Sequence, residues 1–321
     1  MSEINYFIEN ICMFDIFLLT FINVAVILLY LVCGFLLVKS GKCHPTHSKT
    51  LSALLVYILS PAMIINAFLK LDYSQESLLS MLWFFLASLS VQVVLLLTLY
   101  FIFKRKYGEG KYRIMTVGSA LGNVGFFGLP VITALFPDKP IVACYSVTFV
   151  FSMNLLVFTA GRALITNDPK QVSVKSALLN PTTLSMIVAL PLFIFNVRFP
   201  SQISKVISIL AETTTPICMF VLGFRLASVP FKKLFMRPLT YLAVAIKLII
   251  FPLCVFLVVK FLPFFDDTFK SSLFILCGMP SGAIILSLAE MYESETELSA
   301  NVILLSTLFC VITIPLLTLL I

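Results

Sequence analysis

Apolar residues fill ten stretches of this chain, and each stretch is long enough to cross a bilayer as a helix. Such a crossing takes about 20 apolar residues, because the hydrocarbon core is roughly 30 Å thick. The connections are short, so we expect a single membrane domain over residues 1–321. The predicted spans are 14–38, 48–69, 78–103, 112–136, 141–165, 176–197, 203–226, 237–262, 269–291 and 297–320.

Composition supports an all-α membrane protein. Hydrophobic residues make up 60% of the chain and charged residues 12%, whereas roughly 25% of the residues in a soluble domain are charged. This balance excludes a soluble enzyme, a disordered protein and a DNA-binding domain. The lipid bilayer is therefore a predicted partner, and nucleic acid is not.

Helix breakers recur at similar places in the two halves of the chain. The Gly-Leu-Pro that ends Gly122–Pro130 and the Gly-Met-Pro of Gly278–Pro280 are 150 residues apart, and Pro61 and Pro216 are 155 apart. Two pairs of landmarks at nearly one offset indicate an internal repeat. Since five spans are an odd number, the second half must enter the membrane from the opposite side, which is the inverted repeat of many secondary transporters.

We place the first repeat at about 14–165 and the second at about 176–320. The fourth and ninth spans, which contain the breaks, are expected to be broken helices. Backbone left unpaired in hydrocarbon is costly, so each break must face protein or a watery cavity. The N–H groups at the start of a half-helix favour an anion there. A kink that only allows close helix packing is the alternative.

Lys247 lies about ten residues from either end of the eighth span. A charge at that depth costs about 2.5–3.5 kcal/mol on insertion scales, so it marks a candidate functional site. It could balance an anionic substrate, carry a coupling proton, or pair with a buried acid such as Glu212. Asn123 is the sharpest uncharged candidate, because it lies within a break and its amide both donates and accepts.

The remaining candidates follow from the same reasoning, with hydrogen bonding between helices as the alternative for each. The predicted substrate-binding residues are Asn123, Gly125, Phe126, Pro130, Lys247, Pro280 and Ser281. The residues predicted to line the cavity or couple an ion are Asn154, Glu212, Ser306 and Thr307.

Positive charge is distributed unevenly between the two sets of alternate loops. One set holds 15 Lys and Arg residues and the other 6. The positive-inside rule places the richer set in the cytoplasm, so both termini are predicted on the non-cytoplasmic side of the plasma membrane. The connection 292–297 is acidic although it belongs to the cytoplasmic set. The 15 residues are Lys39, Lys42, Lys49, Lys104, Arg105, Lys106, Lys111, Arg113, Arg162, Lys170, Lys175, Arg225, Lys232, Lys233 and Arg237.

Catalytic and cofactor motifs are absent from the sequence. The eight cysteines lie singly, without a Cys-x-x-Cys pair, and we interpret most of them as small apolar residues. Cys43, His44 and His47 offer three ligands in one short loop, which is too little to predict a metal site. No hydrolase, metalloprotease or nucleotide-binding motif occurs. We therefore predict no catalytic residues, no cofactor and a carrier that is not driven by its own ATPase.

Several segments together resemble the auxin efflux carrier family, in order along the whole chain. Gly122–Pro130 resembles its fourth-span signature and Met279–Ala283 its ninth. Lys247-Leu248 and the run from Ser306-Thr307 to Pro315 are similar to its eighth and tenth spans. Bacterial members are known as malate or malonate permeases, and plant members export auxin.

The resemblance implies ten spans, two inverted five-span repeats, and broken helices that cross at Pro130 and Pro280. It also implies a scaffold part and a transport part that move against each other. Plant carriers have an Asn near the ninth-span break, where Ser281 stands here, and many have a large cytoplasmic loop that this chain lacks. Both departures favour a compact carrier of the microbial type.

We therefore predict a secondary-active transporter of small organic anions, such as dicarboxylates, that works by alternating access. A sensor that binds a carboxylate without moving it, and a passive anion channel, are the alternatives. The coupling ion, sodium or a proton, is left open. So are the substrate, the direction of transport, and the choice between a monomer and a homodimer.

Overall fold

The computed structural model describes residues 3–321, with the side chains of residues 13–321 apart from Phe231. The first two residues, whose side of the membrane the charge pattern predicts, lie outside this range. Helices make up 82% of the chain, and residues 3–321 contain no β-strand. The prediction of an all-α protein is therefore confirmed.

The helices differ widely in length. They are α1 (Glu3–Lys39), α2 (Pro45–Leu69), α3 (Gln75–Lys106), α4 (Gly110–Ala120), α5 (Val124–Leu135), α6 (Ile141–Thr166), α7 (Val174–Leu178), α8 (Pro181–Ile194), α9 (Ser201–Ser228), α10 (Phe231–Phe235), α11 (Pro238–Lys260), α12 (Asp267–Cys277), α13 (Ile284–Met291) and α14 (Thr296–Thr318).

Seven of the described helices are long and apolar enough to cross a membrane, namely α1, α2, α3, α6, α9, α11 and α14. An eighth span results if the segment 169–178 and α8, which are bent by 40° relative to each other, are counted together. The bend has a local cause. Asn180 accepts a hydrogen bond from the Thr183 amide at 3.0 Å and Pro181 follows it, so a new helix starts inside the predicted span 176–197.

Three helices contain a widened, π-helical turn that ends two residues before a proline. A proline has no N–H and clashes with the carbonyl four residues earlier, so the regular hydrogen-bond pattern cannot pass through it. The wider turn absorbs this mismatch without ending the helix. The turns are Leu55–Leu59 before Pro61, Val124–Gly128 before Pro130, and Ile246–Ile250 before Pro252.

A close backbone contact joins α1 to α9. A Cβ atom added at Gly34 would lie 2.5 Å from the carbonyl oxygen of Phe220, and one added at Gly223 would collide with the backbone of Leu31 and Phe35. Small residues allow such backbone-to-backbone packing, which is how helices associate where lipid is the solvent.

Ion pairs link several loops at one end of the helix bundle. Arg237 donates to Glu295 at 3.1 Å and to Glu297 at 3.2 Å. Arg225 donates to Glu290 at 2.9 Å. The acidic connection 292–297 therefore lies at the same end as the basic residues of the α9–α11 connection.

A second group of contacts joins other loops. Arg198, after α8, pairs with Asp72 and donates to the carbonyl of Leu69 at 2.6 Å, both of which lie at the end of α2. The Trp83 ring of α3 lies 6.4 Å from the ring of Phe265, between α11 and α12. The α2–α3 connection is thereby linked to the α8–α9 connection, and the first part of α3 to the α11–α12 connection.

Candidate functional site

The two broken segments meet each other at their breaks. α4 ends at Ala120 and α12 at Cys277, and a few non-helical residues follow each. The backbone N–H of Asn123 donates to the carbonyl of Pro280 at 2.6 Å, and that of Gly282 donates to Leu121 at 3.0 Å. These bonds satisfy groups that the breaks would otherwise leave unpaired in a buried environment. We call this junction of residues 121–123 and 280–282 the crossing.

Lys247 closes one side of the crossing. Its side chain is 0% exposed, and Nζ lies 3.0 Å from the carbonyl oxygen of Cys277 and 3.5 Å from that of Ala120. These carbonyls end α12 and α4, where helix dipoles place negative partial charge. The Phe251 ring centroid lies 5.1 Å from Nζ. A Cβ atom at Gly122 would be only 2.9 Å from Nζ, so a larger residue there would displace the lysine side chain.

Ser281 and Ser306 belong to the same side of the crossing. The Ser281 hydroxyl donates to the carbonyl of Gly118 at 2.8 Å, and its N–H donates to the Ser306 hydroxyl at 3.0 Å. The Thr307 hydroxyl donates to the Ile303 carbonyl of its own helix, 2.8 Å away. All three polar side chains are buried and hydrogen-bonded within the protein.

A cavity of about 170 Å³ lies against the other side of the crossing, at the starts of α5 and α13. We call it the crossing cavity, and it is also lined by α2, α6 and α9. Its volume suits a small organic molecule rather than a single water. Among the residues that line it, neither Lys247 nor Ser281 occurs, whereas Gly125 and Phe126 do. Its polar side chains include Ser60, Asn123, Asn154, Thr182, Arg225 and Ser287.

Asn123 has an unused hydrogen-bond donor in this cavity. The residue is 5% exposed, and its Nδ2 has no hydrogen-bond partner among the described residues beyond an interaction with the Cys218 thiol, which is a weak acceptor. Nearly all buried polar groups in proteins are paired, so an orphan amide beside a cavity is a candidate ligand contact. The first N–H groups of α5 also have no acceptor within their own helix, whereas in α13 Ile285 and Leu286 donate to the carbonyls of Gly282 and Ala283 at 3.2 Å each. This set of donors fits a carboxylate.

Pro130 leaves the carbonyl of Phe126 without its usual helical donor, and a side chain of α9 donates to it instead. Because Pro130 cannot donate to the carbonyl of Phe126, four residues earlier, that oxygen needs another partner. The Thr215 hydroxyl donates to it at 2.7 Å. The proline break of α5 is thus fixed to α9 by a side chain rather than by water.

Pro130 and Glu212 line a second, separate cavity of about 360 Å³. Asn66 and Lys70 also line it, and Met63 contributes to both cavities. Glu212 accepts a hydrogen bond from the Ser208 hydroxyl at 2.8 Å. It forms no ion pair with Lys247 in the part of the chain that the structure describes.

Arg225 and Ser287 line the crossing cavity but were not predicted from the sequence. Arg225 lies at the end of a span, close to the cations of the following loop. In the sequence it therefore contributed only to the prediction of membrane orientation. Ser287 lies five residues beyond the Gly282 of the break. The one feature of the sequence that could have indicated a role for Arg225 in the cavity is its position within the last turn of a span.

No group of three or more His, Cys, Asp or Glu side chains that could hold a metal ion occurs among the described residues. The ring of His44 does approach the ring of His47, with centroids 6.4 Å apart.

A family model described as "membrane transport protein" matches residues 19–175 and 166–318 of this chain. The chain belongs to this family. An uncharacterized transporter of Methanocaldococcus jannaschii is 26% identical over 301 residues, which cover 91% of this chain and 96% of that protein. A candidate malonate transporter of Rhizobium meliloti is 23% identical over 283 residues, 84% and 86% of the two chains.

These matches confirm the family resemblance found in the sequence. The protein is a transporter rather than an enzyme. Together with the long apolar helices, family membership makes it a multi-pass integral membrane protein.

Proposed function

We propose that this protein is a secondary-active carrier of small organic anions, with dicarboxylates as the leading class. The observation that carries the proposal is the unpartnered, buried Nδ2 of Asn123 in a cavity where two half-helices begin. An amide donor and helix starts are a combination suited to a carboxylate oxygen. The name of the Rhizobium meliloti relative, which refers to malonate, supports a carboxylate.

Within the site, we assign contact with the anion to Asn123, Gly125 and Phe126. Gly125 permits close approach of α5 to α6 at the cavity, because a Cβ atom there would lie 2.9 Å from a methyl group of Val150. Asn154 belongs to the wall of the same cavity. Pro130 and Pro280 maintain the breaks, and Lys247, Ser281 and Ser306 hold the crossing together.

The proposed architecture is ten spans in two inverted repeats of five, over about 14–165 and 176–320. Two observations support it. The seven long helices and the bent pair become ten spans if α4–α5 and α12–α13 each cross once. The contacts of Arg225 and Arg237 with 290–297, and of Arg198 with Asp72, link alternate connections, as such a topology requires.

The proposed orientation places the crossing cavity on the cytoplasmic side of the plasma membrane. Arg225, which lines it, belongs to the basic set of loops, and the positive-inside rule assigns that set to the cytoplasm. The structure would then be an inward-facing state, and the Glu212 cavity would be part of the outward route. Alternating access exposes the site to each cavity in turn, with Met63 between them.

The experiment is uptake of labelled malonate and malate by proteoliposomes that contain the purified protein. Sodium and pH gradients are imposed in separate runs, because either ion could drive transport. We expect saturable uptake that depends on one gradient and is absent from protein-free liposomes. Flux that does not saturate would indicate a channel. Binding of these anions without any flux would indicate a sensor, and either result would overturn the proposal.

A further inference from the structure

Arg225 is the one charged side chain in the lining of the crossing cavity, counted over the residues that the structure describes. It lies in the last turn of α9, and its side chain is 23% exposed. The guanidinium has five N–H donors in a planar fork. One of them, on Nη1, donates to Glu290, whereas the buried Nε has no partner among the described residues.

Glu290 holds Arg225 from outside the cavity. Its side chain is 51% exposed, and the residue itself is not part of the lining. It lies on α13 three residues after Ser287, which does line the cavity, so the two side chains share a face of that helix. The ion pair therefore joins α9 to α13 at the rim of the cavity.

The exposure of Glu290 makes this ion pair weak and exchangeable. An ion pair in contact with water contributes little to stability, because each charge is well solvated when the pair is broken. An anion inside the cavity would offer Arg225 a partner screened from water. A carboxylate and a guanidinium can also form two parallel hydrogen bonds, which the single bond to Glu290 does not exploit.

We propose that Arg225 is the second anchor of the anion site and determines its preference for dicarboxylates. Asn123 and the helix starts hold one carboxylate, and Arg225 leaves Glu290 to bind the other. A ligand with one carboxylate would use Asn123 alone and leave the ion pair intact. The inference rests on the proposed function and assigns its substrate class to a named residue.

The test compares two probes of nearly equal shape. Malonate has two carboxylates, and malonamate carries an amide in place of one of them. Each is used to compete with labelled malonate for uptake into proteoliposomes. In the unsubstituted protein we expect malonate to compete at least about tenfold better than malonamate, since a hydrogen bond between two charged groups is stronger than one to a neutral amide.

Arg225→Gln should raise the KM for malonate about tenfold and remove the preference over malonamate. Glu290→Gln should lower the KM for malonate, because it removes the competing carboxylate. Arg105→Gln, an exposed arginine outside the cavity lining, is the matched control and should change neither value.

Saturable malonate uptake with an unchanged preference in Arg225→Gln would overturn the role of Arg225 and leave the proposed function standing. If that variant does not reach the membrane, Glu290→Gln decides, and an unchanged malonate KM overturns the inference. Uptake of neither malonate nor malate by the unsubstituted protein would overturn both proposals.

Discussion

The two sides of the crossing are built from the same kind of helix break but end differently. On one side, α4 and α12 terminate with carbonyls that Lys247 and Ser281 satisfy from within the protein. On the other side, α5 and α13 begin at a cavity that Asn123 also lines, and the Nδ2 of Asn123 has no hydrogen-bond partner among the described residues. On the first side the buried carbonyls are hydrogen-bonded within the protein, whereas on the second side hydrogen-bond donors lack a strong acceptor.

This difference follows from the polarity of a helix. A helix that stops presents partial negative charge, and one that starts presents partial positive charge. The protein provides its own cation for the negative ends, which explains how a lysine can be fully buried without an acidic partner in the described part of the chain. We infer that the positive starts are left for a ligand of the opposite sign.

Removal of the Lys247 side chain should have the largest effect on the stability of the protein. Lys247→Met leaves the carbonyls of Ala120 and Cys277 buried without a donor, at about 1–3 kcal/mol for each. The variant is expected to lose most of its thermal stability margin in detergent and its transport activity with it. The measurement is thermal unfolding of the purified protein alongside uptake.

Lys260→Met, at the exposed end of the same helix, is the control and should keep both properties. A Lys247→Met protein that is as stable as the unsubstituted one but inactive would contradict the comparison. Lys247 would then belong to the substrate site or to the coupling mechanism.

The opposite pattern is expected on the cavity side. Asn123→Leu removes a donor that, among the described residues, interacts only with the weakly accepting Cys218 thiol, so the stability of the protein should change by less than about 1 kcal/mol. Anion uptake should be abolished while the protein still reaches the membrane. Unchanged uptake in this variant would remove Asn123 from the site.

Asn301→Leu provides the matched contrast. The amide of Asn301 is fully buried and donates to the carbonyl of Lys233 at 3.1 Å, away from both cavities. We expect a loss of about 1 kcal/mol in stability. The malonate KM of the folded fraction should stay the same.

A pair of serines, one on each side of the crossing, should differ in their effect on stability. Ser281→Ala deletes the bond to the Gly118 carbonyl and should cost about 1–3 kcal/mol in stability, because a buried acceptor loses its donor. Ser287→Ala, in the cavity wall, should cost less than about 0.5 kcal/mol. Equal losses in thermal unfolding would show that the two sides do not differ as we propose.

Much of the helical layout could be predicted from local sequence. Seven predicted spans correspond to continuous helices, because hydropathy over some 20 residues is a property of neighbouring positions. The cluster of glycines before Pro130 likewise marked the end of a regular helix, and the family could be recognised from the same residues. The bend at Asn180-Pro181 was missed, because a cap followed by a proline within an apolar run changes hydropathy very little.

The candidate site likewise contains residues whose position could be predicted from the sequence and others whose position depends on distant contacts. Asn123, Gly125 and Phe126 were predicted as ligand contacts, and the structure places them in one cavity. Ser281 and Lys247 were predicted beside them, yet they lie in the packed side of the crossing. Their side-chain directions depend on elements more than 120 residues away, which a pattern along the chain cannot reveal.

What the sequence by itself determined was where the chain is apolar, where its helices must break, and which family it belongs to. Each of these depends on residues close together in the chain. The tertiary structure alone decided that the two breaks pair with each other, that Lys247 caps two helix ends, and that Arg225 lines the cavity. Those outcomes arise because buried carbonyls and buried charges must find partners in space, wherever in the sequence the partner stands.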